Sequence, residues 1–343
     1  MGQRVTLKDV AARAGVTPAT VSYVLNDKKS ISGQTKRRVL AAIDELGYVP
    51  DLSARTLSMS QRSSRLIGVV VPQTEPGSRL MFQNNFYSEI LGSIELHARQ
   101  HGYHIIISAT DVGESYLTLA QERNLDGIIV IGMYPDEFYR QMKKTQIPIV
   151  LIDSYCNDHY YHNVRIDDAY GSYLATCHLL ECGHRHIAFF SGLLKENGVM
   201  KKRLSGYQDA LKEHGLCFDP AYVFEGSIDY ESGMSSARRM LAAALPATAV
   251  VAAADILAIG AMKGFYENGV RVPDDISVMG FDDLEISQYL TPGLSTVKQQ
   301  ISLKGERAME LLLHNIADPA LTKQEQILPV SLVERGSVRR IAP

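Results

Sequence analysis

The chain has 343 residues, 45% hydrophobic and 21% charged, an ordinary globular composition long enough for two or three domains around a sizeable core. Its net charge is −3, yet residues 1–65 carry eleven Lys/Arg against five acids, so a +6 head precedes a −9 remainder and one end is suited to a polyanion. No apolar leader follows Met1-Gly2-Gln3-Arg4, and no run approaches the roughly 18 uninterrupted apolar residues of a membrane span, which leaves a cytoplasmic protein as the expectation.

In chain order, Leu7, Val10, Ala11 and Ala14 recur at helical spacing and predict a short amphipathic helix over 7–14. Gly15-Val16 ends it, and Thr17-Pro18 is the cap and first residue of a second helix that runs to about Leu25. Two short helices about a glycine turn make a helix-turn-helix, whose second helix can enter a major groove. Ser32 caps a third helix over 34–46, with Val39, Ile43 and Leu46 inward, Lys36, Arg37 and Arg38 outward, and Gly47 as its stop. Taken alone, this pattern also describes a small helical bundle with a solvated basic face.

The run from Val5 to Asn26, together with Ser32-Gly-Gln-Thr-Lys-Arg-Arg38 and Glu45-Leu-Gly-Tyr-Val-Pro50, resembles the head of the lactose-repressor (LacI/GalR) family of bacterial transcription regulators. The resemblance covers nearly the whole chain. It implies that Pro18, Ala19 and Tyr23 read base edges and that Thr20, Ser22 and Asn26 hold phosphates. Thr6, Thr17, Ser32 and Thr35 complete that DNA-facing set. Hydroxyls and amides at helix N-termini suit phosphate oxygens, and such contacts fix register without specifying sequence. Tyr23 stands where many relatives carry arginine; it cannot make the two-pronged hydrogen bond to guanine, so the operator sequence stays open.

Residues 51–64 are serine-rich and too short for a stable isolated helix, so by composition they are a linker. The resemblance implies more: Ala54-Arg-Thr-Leu57 corresponds to a hinge helix that forms on DNA. Leu57 would be its minor-groove wedge, Ala54 would keep paired hinges close, and Arg55 would lie near phosphates. Asp51 replaces the usual asparagine. The domains expected are thus a helix-turn-helix head over 1–50, a hinge over 51–64 and a body over 65–343.

From Leu66 the pattern becomes short apolar runs alternating with helical stretches. Strands are predicted at 66–71, 104–109, 127–131 and 149–153, then at 187–191, 221–224, 249–252, 277–281 and 295–297. Helices are predicted at 86–101, 170–181, 203–214, 231–243 and 256–268. Continuous Val/Ile runs between helices predict parallel sheets covered on both faces, hence two α/β lobes with 325–333 returning near the end. Ligands bind such sheets at the carboxyl ends of their strands, so the cleft between lobes is the expected site. Gly183-His-Arg-His-Ile187, Val272-Pro-Asp-Asp-Ile-Ser277, Gly280-Phe-Asp-Asp283 and Leu328-Pro-Val-Ser-Leu-Val-Glu-Arg335 resemble the periplasmic-binding-protein-like effector core of the same family.

That resemblance implies effector contacts at Arg203 and Asp282, with Asp153, Tyr230 and Asp255 beside them. A guanidinium donating and carboxylates accepting suit a polyhydroxylated ligand. A strand-end cap at Asp282 and a plain ion pair at Arg203 are the alternatives. Ala254 stands where sugar-responsive relatives carry asparagine, and Ile228 where many stack an aromatic ring. A nucleoside-like corepressor or a controlling partner protein therefore remains beside the sugar reading. The partners expected are double-stranded operator DNA, a small effector and a second copy of the chain, because a single headpiece makes too few contacts; the leucine-heptad tail of tetrameric relatives does not follow the last motif, which favours a dimer. No catalytic residue, metal or cofactor is expected. Cys156, Cys177, Cys182 and Cys217 form no CxxC pair, and the Cys177-His178 to His184 cluster is read as structural. His159, His162 and the neighbouring Tyr155, Tyr160 and Tyr161 fall in a loop before Asp167, read as a variable surface with a pocket rim or a subunit contact as the alternatives.

Overall fold

The computed structural model describes residues 5–25, 31–48, 63–72, 84–110, 123–155, 161–196 and 198–341. Asn26, Ala54, Arg55 and Leu57, and with them the expected hinge helix, lie outside the described residues. The chain divides into two units, Met1–Ser64 and Arg65–Pro343.

Among the described residues, the first unit contains three helices, α1 (Leu7–Ala14), α2 (Pro18–Leu25) and α3 (Gly33–Leu46). Val10, Ala11, Ala14, Val21, Val24, Val39 and Ala42 form its core, closed by Tyr48. Gly15 takes φ +64, which a side chain would resist, and its amide bonds back to the carbonyls of Ala11 and Ala12. That left-handed step aims α2 away from α1.

In the second unit, six strands form a wholly parallel sheet ordered β11-β5-β4-β3-β1-β2. They are β1 (Leu66–Pro72), β2 (His104–Thr110), β3 (Gly127–Ile131), β4 (Ile149–Ile152), β5 (His162–Ile166) and β11 (Glu325–Leu328). A second six-stranded sheet is ordered β12-β10-β9-β8-β6-β7, with only β12 antiparallel. Its strands are β6 (Ile187–Gly192), β7 (Val223–Gly226), β8 (Ala249–Ala252), β9 (Ser277–Asp282), β10 (Ser295–Gln299) and β12 (Val330–Val333). Strands β3, β4 and β8 are buried at every residue, as strands covered on both faces must be.

Helices α4 (Asn85–Gln100), α5 (Asp136–Met142) and α10 (Ile301–Ala317) belong to the first lobe. The second lobe carries α6 (Asp168–Glu181), α7 (Val199–Glu213), α8 (Tyr230–Ala242) and α9 (Asp255–Glu267). α6 and α7 cross so closely that a Cβ at Gly206 would lie 1.8 Å from the Ala169 carbonyl oxygen. The chain passes between lobes three times: from β5 to α6, from β10 to α10, and from β11 to β12.

Several expectations need correction. The segment read as a variable loop holds β5, with Tyr161 and His162 buried. His162 accepts at Nδ1 from the Gln324 amide, and burial followed by Lys323 pushes its pKa down to about 4, so it sits neutral in the sheet. The strand expected at 221–224 begins only at Val223, because Pro220 opens a short 3-10 turn over Pro220–Tyr222. Helices α5 and α10 were not anticipated. The 325–333 return is two strands, one in each sheet. His184 is held by Thr248 Oγ1 at 2.9 Å and the Arg339 carbonyl at 3.1 Å, and among the described residues no cluster could hold a metal ion.

Candidate functional site

Each helix of the head begins on a hydroxyl. Thr6 caps α1 reciprocally with Asp9: the Thr6 amide donates to Asp9 Oδ2 at 2.7 Å while Thr6 Oγ1 accepts from the Asp9 amide. Thr17 Oγ1 accepts from the Thr20 amide at 3.2 Å and lies 2.9 Å from Thr20 Oγ1. Ser32 Oγ accepts from the Thr35 amide at 3.3 Å and lies 2.9 Å from Thr35 Oγ1. Three helix N-termini with exposed capping hydroxyls offer dipoles and O–H donors to anions. On α2, Val21 and Val24 face the core, which leaves Pro18, Ala19, Ser22 and Tyr23 along the opposite side at helical spacing. Pro18 and Ala19 are exposed, Thr20 and Ser22 half-buried, and Tyr23 is 43% exposed.

Arg38 is exposed, as expected, and it also donates from Nη2 to the Ala14 carbonyl, with the Gly15 carbonyl at 3.4 Å, tying α3 to the turn between α1 and α2. Arg13 and Glu45 link α1 to α3 again at 2.7 Å. Arg38→Ala is expected to destabilise the head by about 1 kcal/mol, as an exposed charge-assisted hydrogen bond should. Amide exchange across α1 and α2 of the full chain would speed up roughly fivefold, and unchanged rates would show that the clamp contributes nothing.

In the second unit, the first lobe supplies Asp153 after β4 and Lys304 on α10. The second supplies Arg203 on α7, Asp168 opening α6, and Asp282 and Gln299 ending β9 and β10. Arg203 donates to Asp168 Oδ1 at 2.9 Å from Nε and 2.8 Å from Nη2, donates to the Ala253 carbonyl, lies 3.6 Å from Asp282 Oδ1 and stacks 3.6 Å over the Phe281 ring. Lys304, 0% exposed, donates to both Asp153 oxygens at 2.6 and 2.7 Å and to Gln299 Oε1. Gln299 Nε2 donates to Asp282 Oδ1. Asp153 holds φ +53 and Asp282 φ +128, the latter a backbone region costly for any side chain, and such strain concentrates at ligand clamps.

Burial raises the pKa of Asp153, against the pull of Lys304. Burial also raises Asp282, to about 7, with Arg203 and Lys304 opposing and Asp255 adding. Because the folded pKa of Asp282 lies above its unfolded value of about 3.9, its stabilising contribution is full below that value and is lost as pH rises through about 7. The core should therefore weaken between about pH 4 and pH 7 in urea denaturation, and Asp282→Asn should flatten that slope. An unchanged slope would remove Asp282 as its source.

The structure thus brings together Arg203, Asp282 and Asp153, and adds Asp168, Lys304 and Gln299, which sequence reasoning missed. The alternating apolar positions of α10 held the signal for Lys304. Ile301, Gly305, Ala308 and Leu312 mark the buried face, and Lys304 lies on it. Asp255 lies apart from this cluster's hydrogen bonds: it is wholly buried, and it accepts from Thr296 Oγ1 at 2.6 Å, Ser287 Oγ at 2.7 Å and the Leu284 amide at 2.8 Å, all inside the second lobe. Tyr230 opens α8, 38% exposed. Ile228 packs against Gly192 at the end of β6, and Ala254 precedes α9 without a side-chain cap.

A helix-turn-helix head on a two-lobed α/β core with a charged cluster between its lobes defines a ligand-binding regulator of the periplasmic-binding-protein-like type. Residues 6–51 match the family of bacterial regulatory proteins, lacI family, and residues 176–338 match the periplasmic binding protein-like domain. The chain is 32% identical over 342 residues to the HTH-type transcriptional repressor PurR of Vibrio campbellii, covering 98% of this chain and 99% of that protein. It is 31% identical to the ribose operon repressor of Haemophilus influenzae, covering 97% and 98%. Its structure superposes on the lac repressor dimer bound to operator and the anti-inducer ONPF with a TM-score of 0.83 at 31% identity, covering 98% of this chain and all of that one. The chain belongs to the LacI family and is a DNA-binding transcriptional regulator without enzymatic activity. Among the described residues, no helix is long and apolar enough to cross a membrane.

Proposed function

We propose that the chain is a dimeric repressor acting in the bacterial cytoplasm on a carbohydrate-utilisation operon. Each head lays α2 in a major groove, with Pro18, Ala19 and Tyr23 toward base edges. Thr6, Thr17, Thr20, Ser22, Ser32 and Thr35 face phosphates. Two heads related by a two-fold axis read half-sites about one helical turn apart, which multiplies the specificity of one small surface. A small polar effector, a sugar or sugar derivative, enters between the lobes beside Asp153, Arg203, Tyr230 and Asp282 and alters DNA affinity. The observation that carries the DNA part is the face of α2 opposite Val21 and Val24, flanked by three capped helix N-termini. The buried Arg203, Asp282 and Asp153 cluster supports the effector part.

The test is selection of binding duplexes from random DNA by the full chain, followed by a thermal-shift series with pentoses, hexoses and nucleosides. A palindromic consensus bound in a salt-sensitive manner, together with stabilisation by one sugar class, is the expected result. Failure to retain any DNA would overturn the head assignment, and indifference to every sugar would overturn the effector class.

A further inference from the structure

The charged groups between the lobes form a closed circuit. Starting in the first lobe, Asp153 holds the Lys304 ammonium, which reaches across to Gln299 Oε1 in the second lobe. Gln299 passes to Asp282 through Nε2, Asp282 faces the Arg203 guanidinium, and Arg203 grips Asp168. Asp168 Oδ2 then accepts from Tyr155 Oη at 2.7 Å, which returns the path to the first lobe two residues from its start. Two contacts in this circuit join the lobes, Lys304 to Gln299 and Tyr155 to Asp168. Each lies beside a crossover, at 299–301 and 166–168, so rotation of one lobe on the other must break or re-pair it. Tyr155 is further held by the Arg165 guanidinium, 4.9 Å from its ring centroid, and by Lys202 of the second lobe at 5.3 Å.

The charges dictate the orientation of each member. Gln299 must turn its carbonyl oxygen to the ammonium and its amide nitrogen to the carboxylate, and no other arrangement satisfies both neighbours. All three Lys304 protons are used, and Arg203 is committed to Asp168 and the Ala253 carbonyl. With every named member but Tyr155 nine-tenths buried or more, loss of one link leaves a polar group dry and unpaired, which makes the circuit all-or-none.

We infer that this circuit is a built-in latch that fixes the angle between the lobes, and that an effector regulates the chain by breaking the Lys304–Gln299 or Tyr155–Asp168 link. The latch rests on the effector reading only for its use.

The test is hydrogen exchange of the full chain, comparing the wild type with Gln299→Met/Tyr155→Phe, which removes both hydrogen bonds between the lobes and keeps every ion pair and the Lys202 contact with the ring. Amides of the crossovers at 166–168 and 299–301 should exchange tenfold or more faster, while the core strands Gly127–Ile131 and Ala249–Ala252 keep their wild-type rates. The control is Tyr173→Phe, which removes a 2.7 Å hydrogen bond to Glu213 inside the second lobe and should leave the crossovers unchanged. Crossovers at wild-type rates in the double variant, equal acceleration of the core strands, or the same effect from Tyr173→Phe would each overturn the latch. Because neither DNA nor sugar enters the measurement, a failure here is separate from any failure of the proposed function.

Discussion

Arg203→Ala is expected to cost the core about 3–5 kcal/mol, because it removes one partner from a buried network and leaves carboxylates without compensation. Asp168 is 1% exposed and Asp282 5%, so water cannot readily replace the guanidinium. The Ala253 carbonyl loses its donor and the Phe281 face its stacked cation in the same step. Urea denaturation of the full chain should show the loss in the transition of the second unit. Arg203→Ala/Asp168→Leu should recover much of it, since removing both charges avoids stranding one. A loss below about 1 kcal/mol in the single variant would mean that solvent reaches the pair. This expectation bears on function too: an alanine at 203 removes a structural ion pair together with any ligand contact, so loss of effector response in that variant needs a stability control.

The second large effect belongs to DNA. If Tyr23 reads a base edge through its single hydroxyl, Tyr23→Ala should lose about 1 kcal/mol in each half-site, and the two half-sites of a dimer add. Tyr23→Arg should change the consensus selected from random DNA, because a guanidinium can grip guanine with two hydrogen bonds and a phenol cannot. Thr20→Val should weaken binding evenly across sequences, as loss of a phosphate donor does. An identical consensus from wild type, Tyr23→Ala and Tyr23→Arg would take Tyr23 out of base recognition.

The elements legible in the sequence were those whose signal is local. The bounds of α1 follow from Thr6, the 3.6-residue apolar spacing and Gly15, and the Val/Ile runs at 127–131 and 249–252 mark their strands to the residue. β5 was illegible because His162-Asn-Val-Arg-Ile carries polar residues at buried positions. Each finds one partner that only the folded sheet supplies, the Gln324 amide for His162 Nδ1 and the Ser154 carbonyl for Asn163 Nδ2. The site divides in the same way. Arg203 and Asp282 could be placed by resemblance, whereas Lys304 meets Asp153 across 151 positions of chain and Tyr155 meets Asp168 only after the lobes assemble. Asp282 and Asp283 look alike in sequence, yet Asp283 turns away to Arg335 at 2.6 Å and leaves the cluster to its neighbour.

The three passages of the chain between lobes also set an order of assembly. The first sheet receives its edge strand, Glu325–Leu328, and its covering helix, Ile301–Ala317, only after the second lobe's five parallel strands have been made. During synthesis the head can fold early and the second lobe can gather most of its strands, while the first lobe waits with Gly127–Ile131 and Ile149–Ile152 lacking the helix that covers them. A ribosome stalled near residue 300 would therefore hold a finished head on an unfinished lobe. That unfinished lobe, with its bare apolar strands, is where chaperones should engage the nascent chain.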